Sequence, residues 1–334
     1  MLPVRPAPPA PLHPLSSHET LRGSMLEILL KTLPFFAVIG LGWLAGRARL
    51  MAPEAAAVLT KFVFYFALSA MLFRFAATLP LQNVFDARFA AAYLSASLAV
   101  YGLAMTVAFL RKRGLGEAAV EAQCAVIGNT GFLGVPMLVM LLGPQAAGPV
   151  LLVLSVDLVV FSSLLTVLVV IARKGRLSRA DTGAMLMGLA KNPMIVSMGL
   201  GMVWGATGAP LPKPFDEFLT LLGAAATPGA LFAIGASLVG RRAERMAVAA
   251  WLSFAKLVLH PAAVALASLV LFKVDPPQAG VMIAAAALPV AGNVFILAQH
   301  FGIAPQRVST SILISTICSV LTVSAVIAWI GPLL

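Results

Sequence analysis

Residues 128–136 read GNTGFLGVP and residues 288–298 read LPVAGNVFILA, and each stretch lies in the middle of a long apolar segment. Both stretches contain a proline and a Gly-Asn pair, with a phenylalanine two or three residues further on. Proline removes a backbone N–H group and clashes with the preceding helical turn, while glycine permits an unwound backbone. The two stretches therefore predict two apolar helices that are each broken near the middle.

The composition of the whole chain is that of a membrane protein. Of 334 residues, 60% are hydrophobic and 10% are charged, against about 25% charged in a typical soluble domain, and the mean hydropathy is +0.99. So few polar side chains cannot cover a soluble fold, which excludes an ordinary soluble enzyme, a disordered chain and a nucleic-acid-binding module. We expect an all-α integral membrane protein that lies in the lipid bilayer and binds no nucleic acid.

A bilayer core about 30 Å thick needs roughly 20 apolar residues per helix. On that scale the sequence predicts ten transmembrane helices, at residues 26–46, 55–73, 87–110, 118–142, 147–172, 193–209, 218–239, 246–272, 277–299 and 307–331. The interior segment at 173–192 is then a cytoplasmic linker loop between a first half at 25–172 and a second half at 193–334.

Residues 1–24 differ from the rest, since six of the first fourteen residues are proline. Such a stretch is extended and disordered rather than helical. Because Met25 directly precedes the first predicted span, translation from Met1 and from Met25 are both left open.

The distribution of basic residues predicts the orientation. The net charge is +11, and 13 of the 19 Lys and Arg residues outside the spans fall in odd-numbered loops. Cytoplasmic loops carry the excess of Lys and Arg, so the odd-numbered loops are expected in the cytoplasm. Both termini of this multi-pass protein would then be extracytoplasmic.

An internal repeat relates the first and sixth spans. Residues 34–46 and 193–205 share the pattern P-x5-G-x-G-x3-G at an offset of 159 residues. Each half then holds five spans, and two equal halves with an odd number of spans must have opposite orientations, which is the 5+5 inverted-repeat plan of secondary transporters. The alternative is that these glycines are only close-packing helix faces, which is compatible with a repeat.

The two breaks predict a site for an anion. A broken helix exposes a new N-terminus, whose N–H groups and dipole favour negative charge, and breaks in lipid survive only where they line a cavity. The asparagine amides can donate further hydrogen bonds. The candidate substrate-binding residues are Asn129, Thr130, Gly131, Pro136, Pro289, Gly292 and Asn293. The alternative is a pair of proline kinks with packing glycines.

Three ionisable residues within spans five and eight are candidates for ion or proton coupling. Asp157 lies near the centre of span five, and Lys256 and His260 are four residues apart on one face of span eight. A carboxylate at this depth is usually functional, so Asp157 is expected to carry a proton or hold sodium. The alternatives are a structural ion pair or hydrogen bond for Asp157 and snorkelling for Lys256. We expect Lys61 and Arg74 to face lipid headgroups, and we expect no metal site and no cofactor.

At the two breaks the sequence resembles the auxin efflux carrier family, in particular the bacterial branch that includes malonate transporters. GNTGFLGVP and LPVAGNVFILA resemble the span-four and span-nine motifs of that family, and LPFFAVIGLGWLAGR at 33–47 resembles its first span. The resemblance implies that helices four and nine cross at their breaks, as in the sodium/proton antiporter and bile-acid symporter folds. It also implies a scaffold of spans one, two, six and seven, a moving bundle of the other spans, and an anionic substrate on Asn129 and Asn293.

Two further expectations are a homodimer through the scaffold helices and a location in the bacterial inner membrane. The chain departs from the family in having Ser69 where a proline is common in span two, while span seven keeps Pro228.

The sequence thus predicts a secondary-active transporter of small organic anions, such as malonate, malate or auxin-like acids, that works by alternating access. The alternatives are a cation/proton antiporter that uses Asp157 and a non-transporting membrane sensor or channel. The sequence contains no Walker A, H-E-x-x-H or G-x-S-x-G motif, and we expect no enzyme activity.

Overall fold

The computed structural model describes residues 17–78, 86–239 and 246–333, with side chains from residue 27 onward. Within these ranges the fold is all-helical, with one isolated β-bridge. The helices are α1 (Ser17–Arg47), α2 (Pro53–Thr78), α3 (Ala87–Leu110), α4 (Leu115–Val126), α5 (Thr130–Leu142), α6 (Pro144–Lys174), α7 (Arg179–Ala190), α8 (Pro193–Ala206), α9 (Lys213–Ser237), α10 (Met246–Leu271), α11 (Pro276–Ala286), α12 (Gly292–Phe301) and α13 (Pro305–Leu333).

Seven helices in the described ranges are long and apolar enough to cross a membrane: α1, α2, α3, α6, α9, α10 and α13. All seven coincide with predicted spans. The pair α7 and α8, bent by 65°, brings the number to eight if it is one span. The two remaining predicted spans, four and nine, are the interrupted pairs α4–α5 and α11–α12. The count of ten spans stays a prediction.

Helix α1 begins earlier than the sequence predicts. Residues Ser17 to Ser24 are helical, so the expectation of a non-helical tail is wrong for them, while residues 1–16 lie outside the described residues. The physical reason is that the six prolines all precede position 15. Beyond them nothing prevents the first helix from extending past its apolar portion.

The linker at 173–192 is more ordered than the loop that the sequence predicts. Helix α6 ends at Lys174 and is followed by Gly175, which has φ of 71°, and α7 begins after Ser178. The Ser178 Oγ accepts from the Asp181 N–H at 3.1 Å, and the Asp181 carboxylate accepts from the Ser178 N–H at 3.1 Å. This reciprocal cap stabilises the first turn of a helix, so most of the linker is α7.

The shared glycine pattern packs each repeat motif against the other half of the chain. A Cβ added at Gly42 of α1 would lie 2.1 Å from the carbonyl oxygen of Phe232, and one at Gly201 of α8 would lie 2.5 Å from that of Phe73. The same 159-residue offset separates Gly42 from Gly201 and Phe73 from Phe232. Thus α1 packs on the second half of α9 just as α8 packs on the second half of α2.

Charged side chains join several helix ends at one face of the molecule. Arg111 after α3 and Arg307 of α13 both form ion pairs with the buried Glu121 of α4. Arg173 of α6 donates to the carbonyl oxygen of Phe301, at the end of α12. We name the side that carries Arg111, Arg173 and Arg307 the basic face.

Arg74 does not simply face headgroups as expected. Its Nε donates to Asp216 Oδ1 at 2.7 Å and its Nη2 donates to Asp216 Oδ2 at 3.2 Å. This two-pronged ion pair joins the end of α2 to the start of α9. The sequence could not show it because the two residues are 142 positions apart.

Candidate functional site

The first break separates α4 from α5. Helix α4 ends at Val126, Ile127 is extended, and Asn129 precedes the first residue of α5. The Asn129 carbonyl oxygen accepts from the N–H groups of Leu133 and Gly134 at 3.0 and 2.9 Å. Asn129 is therefore the residue at which the chain re-enters a helix after the break.

The second break meets the first in a short backbone bridge. Gly128 pairs with Val290 in antiparallel fashion. The Asn129 N–H donates to the Pro289 carbonyl oxygen at 2.8 Å, and the Ala291 N–H donates to the Ile127 carbonyl oxygen at 3.1 Å. Buried backbone polar groups away from water must find partners, and here each break satisfies the groups that the other frees. The two interrupted segments thus cross at their breaks.

The crossing brings two new helix N-termini together. Helix α5 starts at Thr130 and α12 starts at Gly292, and the first N–H groups of a helix have no acceptor within it. Asn129 is 6% exposed, Asn293 is the second residue of α12, and each amide nitrogen carries two N–H donors. N–H donors, positive dipole ends and amides at one place can bind an anion.

A cavity of about 700 Å³ opens from the crossing. Four predicted site residues line it: Asn129, Gly131, Asp157 and Asn293. Its other walls come from α2, α6, α7, α12 and the start of α8, and include Lys61, Phe64, Ser162, Met185, Met194 and His300. Phe301 also lines the cavity and contacts Arg173, so the cavity extends toward the basic face.

The other predicted substrate-binding residues support the crossing rather than line the cavity. Thr130 contacts Asp157, and Pro289 accepts the hydrogen bond from Asn129. Pro136 lies in the first turn of the α-helical part of α5. Gly292 is the first residue of α12. Among the described cavity-lining residues none of these four is present.

Asp157 is 2% exposed, and its carboxylate forms a hydrogen bond at the first break. The Tyr93 hydroxyl of α3 donates to its Oδ1 at 2.8 Å, and the Thr130 hydroxyl donates to its Oδ2 at 3.3 Å. Asp157 therefore accepts from both α3 and the first turn of α5. It lines the cavity at the same time, so it is placed to respond to a ligand at the crossing.

Lys256 is fully buried, and its ammonium forms a hydrogen bond just before the second break. Its ammonium donates to the Ala286 carbonyl oxygen, at the end of α11, and contacts His260 Nδ1 at 3.2 Å. His260 Nε2 in turn lies 2.9 Å from the Ser97 hydroxyl. A Cβ added at Gly128 would lie 3.3 Å from the Lys256 ammonium, so this charge lies directly against the crossing.

Sequence reasoning missed several polar residues of the site. Tyr93 and Ser97 are uncharged residues in an apolar span, and no pattern in the sequence distinguishes them from packing residues. Asn192 lines the cavity next to the bend before α8. Lys61, expected at the headgroups, also lines the cavity. Its position eight residues after Pro53, the first residue of α2, could have indicated that it lies too deep in the helix to reach the headgroups.

An all-helical membrane protein with a cavity at two crossed helix breaks has the architecture of a membrane transporter. Sequence comparison agrees: the family model described as "Membrane transport protein" matches residues 27–327. The chain belongs to this family, the auxin efflux carrier family that the motifs at 128–136 and 288–298 indicate.

Two relatives span nearly the whole chain. A Rhizobium meliloti (strain 1021) protein named "Putative malonate transporter" is 31% identical over 309 residues, which is 91% of this chain and 96% of that protein. An Escherichia coli (strain K12) protein named "Uncharacterized transporter YfdV" is 25% identical over 294 residues, which is 87% of this chain and 93% of that protein.

Proposed function

We propose that this protein is a secondary-active carrier of small organic anions, of the carboxylate class that includes malonate, malate and auxin-like acids. The observation that carries the proposal is the meeting of two helix breaks at one backbone bridge beside a cavity of about 700 Å³. The name of the Rhizobium relative, "Putative malonate transporter", supports the same substrate class.

The substrate carboxylate binds where the two helix N-termini face the cavity. Asn129 and Asn293 donate their amide N–H groups, and the first turns of α5 and α12 add backbone N–H groups and positive dipole ends. Together these donors replace the water around one carboxylate. The apolar walls around Phe64 and Met194 accommodate the carbon skeleton.

Alternating access requires two bodies that move against each other. We propose that α1, α2, α8 and α9 form the scaffold and that the remaining spans form the transport bundle. The reciprocal glycine packing of α1 on α9 and of α8 on α2 supports a rigid scaffold. It also supports ten spans in a 5+5 inverted repeat, because contacts at equal offset relate the two halves.

The proposed orientation follows the basic residues. The basic face is cytoplasmic, both termini are extracytoplasmic, and the cavity, which extends to the basic face, represents an inward-open state of a carrier in the bacterial inner membrane. The scaffold helices form the interface of a homodimer.

Coupling to a proton or to sodium involves Asp157, with Lys256 and His260 behind it. Asp157 lines the cavity and accepts from Thr130, the residue after Asn129. A change in the charge or ligation of Asp157 therefore alters the hydrogen bond of Thr130, next to the proposed substrate ligand Asn129. A cation/proton antiporter remains the competing function, and it predicts cation flux without any carboxylate.

The test is binding of malonate and malate by calorimetry to the purified protein and to Asn129→Ala and Asn293→Ala. Each lost hydrogen bond to a charged group is worth about 1.5–3 kcal/mol, so each variant should bind about 10- to 150-fold more weakly. Gln145→Ala, which removes an exposed amide from outside the cavity lining, should bind normally. Near-normal affinity in both asparagine variants would show that the crossing is not the substrate site.

A further inference from the structure

Lys61 is a cation inside the proposed substrate cavity. It is exposed, and among the described residues that line the cavity it is the one Lys or Arg side chain. It lies eight residues after Pro53, the first residue of α2, which is about 12 Å along a helix. A charged side chain that deep in a span is costly unless it reaches water or a ligand.

The charge of Lys61 has no acidic partner in the part of the chain that the structure describes. The two acids that line the same cavity already have partners, since Asp157 accepts from Tyr93 and Thr130, and Asp181 pairs with Lys174 at 2.6 Å. An anion entering the cavity would find this ammonium free.

Lys61 and the two asparagines line the cavity from different segments of the chain. Lys61 belongs to α2, one turn before Phe64, and the Phe64 ring stacks on Phe132 with 6.2 Å between ring centroids and an interplanar angle of 11°. Phe132 is three residues after Asn129 on α5. Lys61 and Asn129 therefore each lie three residues from one member of a stacked aromatic pair in the cavity lining.

We propose that Lys61 binds a second carboxylate of the substrate, so that the protein selects dicarboxylates over monocarboxylates. This inference rests on the proposed function, since the first carboxylate binds at Asn129 and Asn293. The second carboxylate reaches from the crossing to the α2 wall, and the flexible lysine stem accommodates the span. A dicarboxylate thereby connects the proposed bundle to the proposed scaffold, which a monocarboxylate does not.

The experiment compares each diacid with an otherwise similar monoanion. Binding of malonate and succinate, each against its monomethyl ester, is measured by calorimetry on wild-type protein, Lys61→Gln and Lys61→Arg. Lys61→Gln should weaken diacid binding about 10- to 100-fold, as expected for a lost hydrogen bond between charged groups, and leave the monoesters unchanged. Lys61→Arg should keep most of the preference for diacids.

The control is Lys191→Gln, which removes a positive charge close to the cavity from a residue that does not line it in the described structure. This variant should bind both the diacids and the monoesters with wild-type affinity. Equal weakening of diacids and monoesters in Lys61→Gln, or no weakening of either, overturns this inference and leaves the proposed function intact. Failure of the wild-type protein to bind any of the four acids overturns both.

Discussion

The proposed scaffold and the crossing use the two halves of the chain in different ways. In the scaffold, Gly42 and Gly201 stand at equivalent places and each packs on a backbone carbonyl of the other half. At the crossing, the pairs Gly128-Asn129 and Gly292-Asn293 look alike in sequence, but the two breaks form hydrogen bonds to groups of opposite charge. The first break is contacted by the carboxylate of Asp157 through Thr130, and the second by the ammonium of Lys256 through the Ala286 carbonyl.

Helix dipoles explain why the charges differ. The hydroxyl of Thr130, the first residue of α5, bonds a carboxylate, and a negative charge is favourable at a helix N-terminus. Ala286 is the last residue of α11, where a positive charge is favourable. The close glycine packing occurs twice, because α1 packs on α9 and α8 packs separately on α2. The crossing occurs once and is shared by both halves, so one acid, Asp157, and one base, Lys256, form its charged contacts.

The largest expected loss of stability follows from replacing the two charged residues at the crossing, Asp157 and Lys256. Asp157→Asn and Lys256→Met should each lower the free energy of unfolding by about 3–5 kcal/mol, because each removes a buried charged group that makes two hydrogen bonds, each worth about 1.5–3 kcal/mol. The double variant should be more stable than the sum of the two losses predicts, with a coupling of about 0.5–3 kcal/mol. Thermal unfolding of the four detergent-purified proteins measures this cycle.

The same variants separate stability from coupling. In vesicles, folded Asp157→Asn should lose gradient-driven uptake of malonate and retain part of its exchange. Strict additivity of the two losses would mean that Asp157 and Lys256 act independently, and unchanged accumulation by Asp157→Asn would make the acid structural. Either result would remove the contrast between the crossing and the scaffold.

The scaffold glycines should give a smaller but symmetric effect. Gly42→Ala and Gly201→Ala each place a Cβ within 2.5 Å of a backbone carbonyl, and such overpacking costs about 1–3 kcal/mol. Gly40→Ala and Gly199→Ala are matched controls at the same 159-residue offset, with nothing within 4 Å of the added Cβ. They should be neutral or stabilising, since alanine favours a helix by about 0.5–1 kcal/mol. A loss of melting temperature in only one of Gly42→Ala and Gly201→Ala would contradict the symmetry.

The smallest effect should distinguish the two Gly-Asn pairs. A Cβ at Gly128 would lie 3.3 Å from both the Ala285 carbonyl oxygen and the Lys256 ammonium, whereas Gly292 has nothing within 4 Å. Gly128→Ala should therefore cost about 1 kcal/mol, and Gly292→Ala should be neutral. Melting temperatures measured side by side check this. Equal shifts would show that the two breaks tolerate change alike.

The sequence by itself determined the parts of the fold that depend on local composition and periodicity. Apolar runs of sufficient length gave seven spans at the observed positions. Proline and glycine within such runs located both breaks, because they weaken a helix wherever it is placed. The cavity position of Asn129 and Asn293 was likewise predictable, because interrupted backbone in a membrane must line a cavity.

Only the tertiary structure decided which side chains meet across the breaks. Tyr93 and Asp157 are 64 positions apart, and Lys256 and Ala286 are 30 apart, so their contacts arise from helix packing and leave no periodic trace in the sequence. Helix packing also brings Lys61 and residues of α7 into the lining of the cavity. Hydropathy records how apolar a residue's neighbours in the chain are, whereas the charge of a binding site depends on neighbours in space.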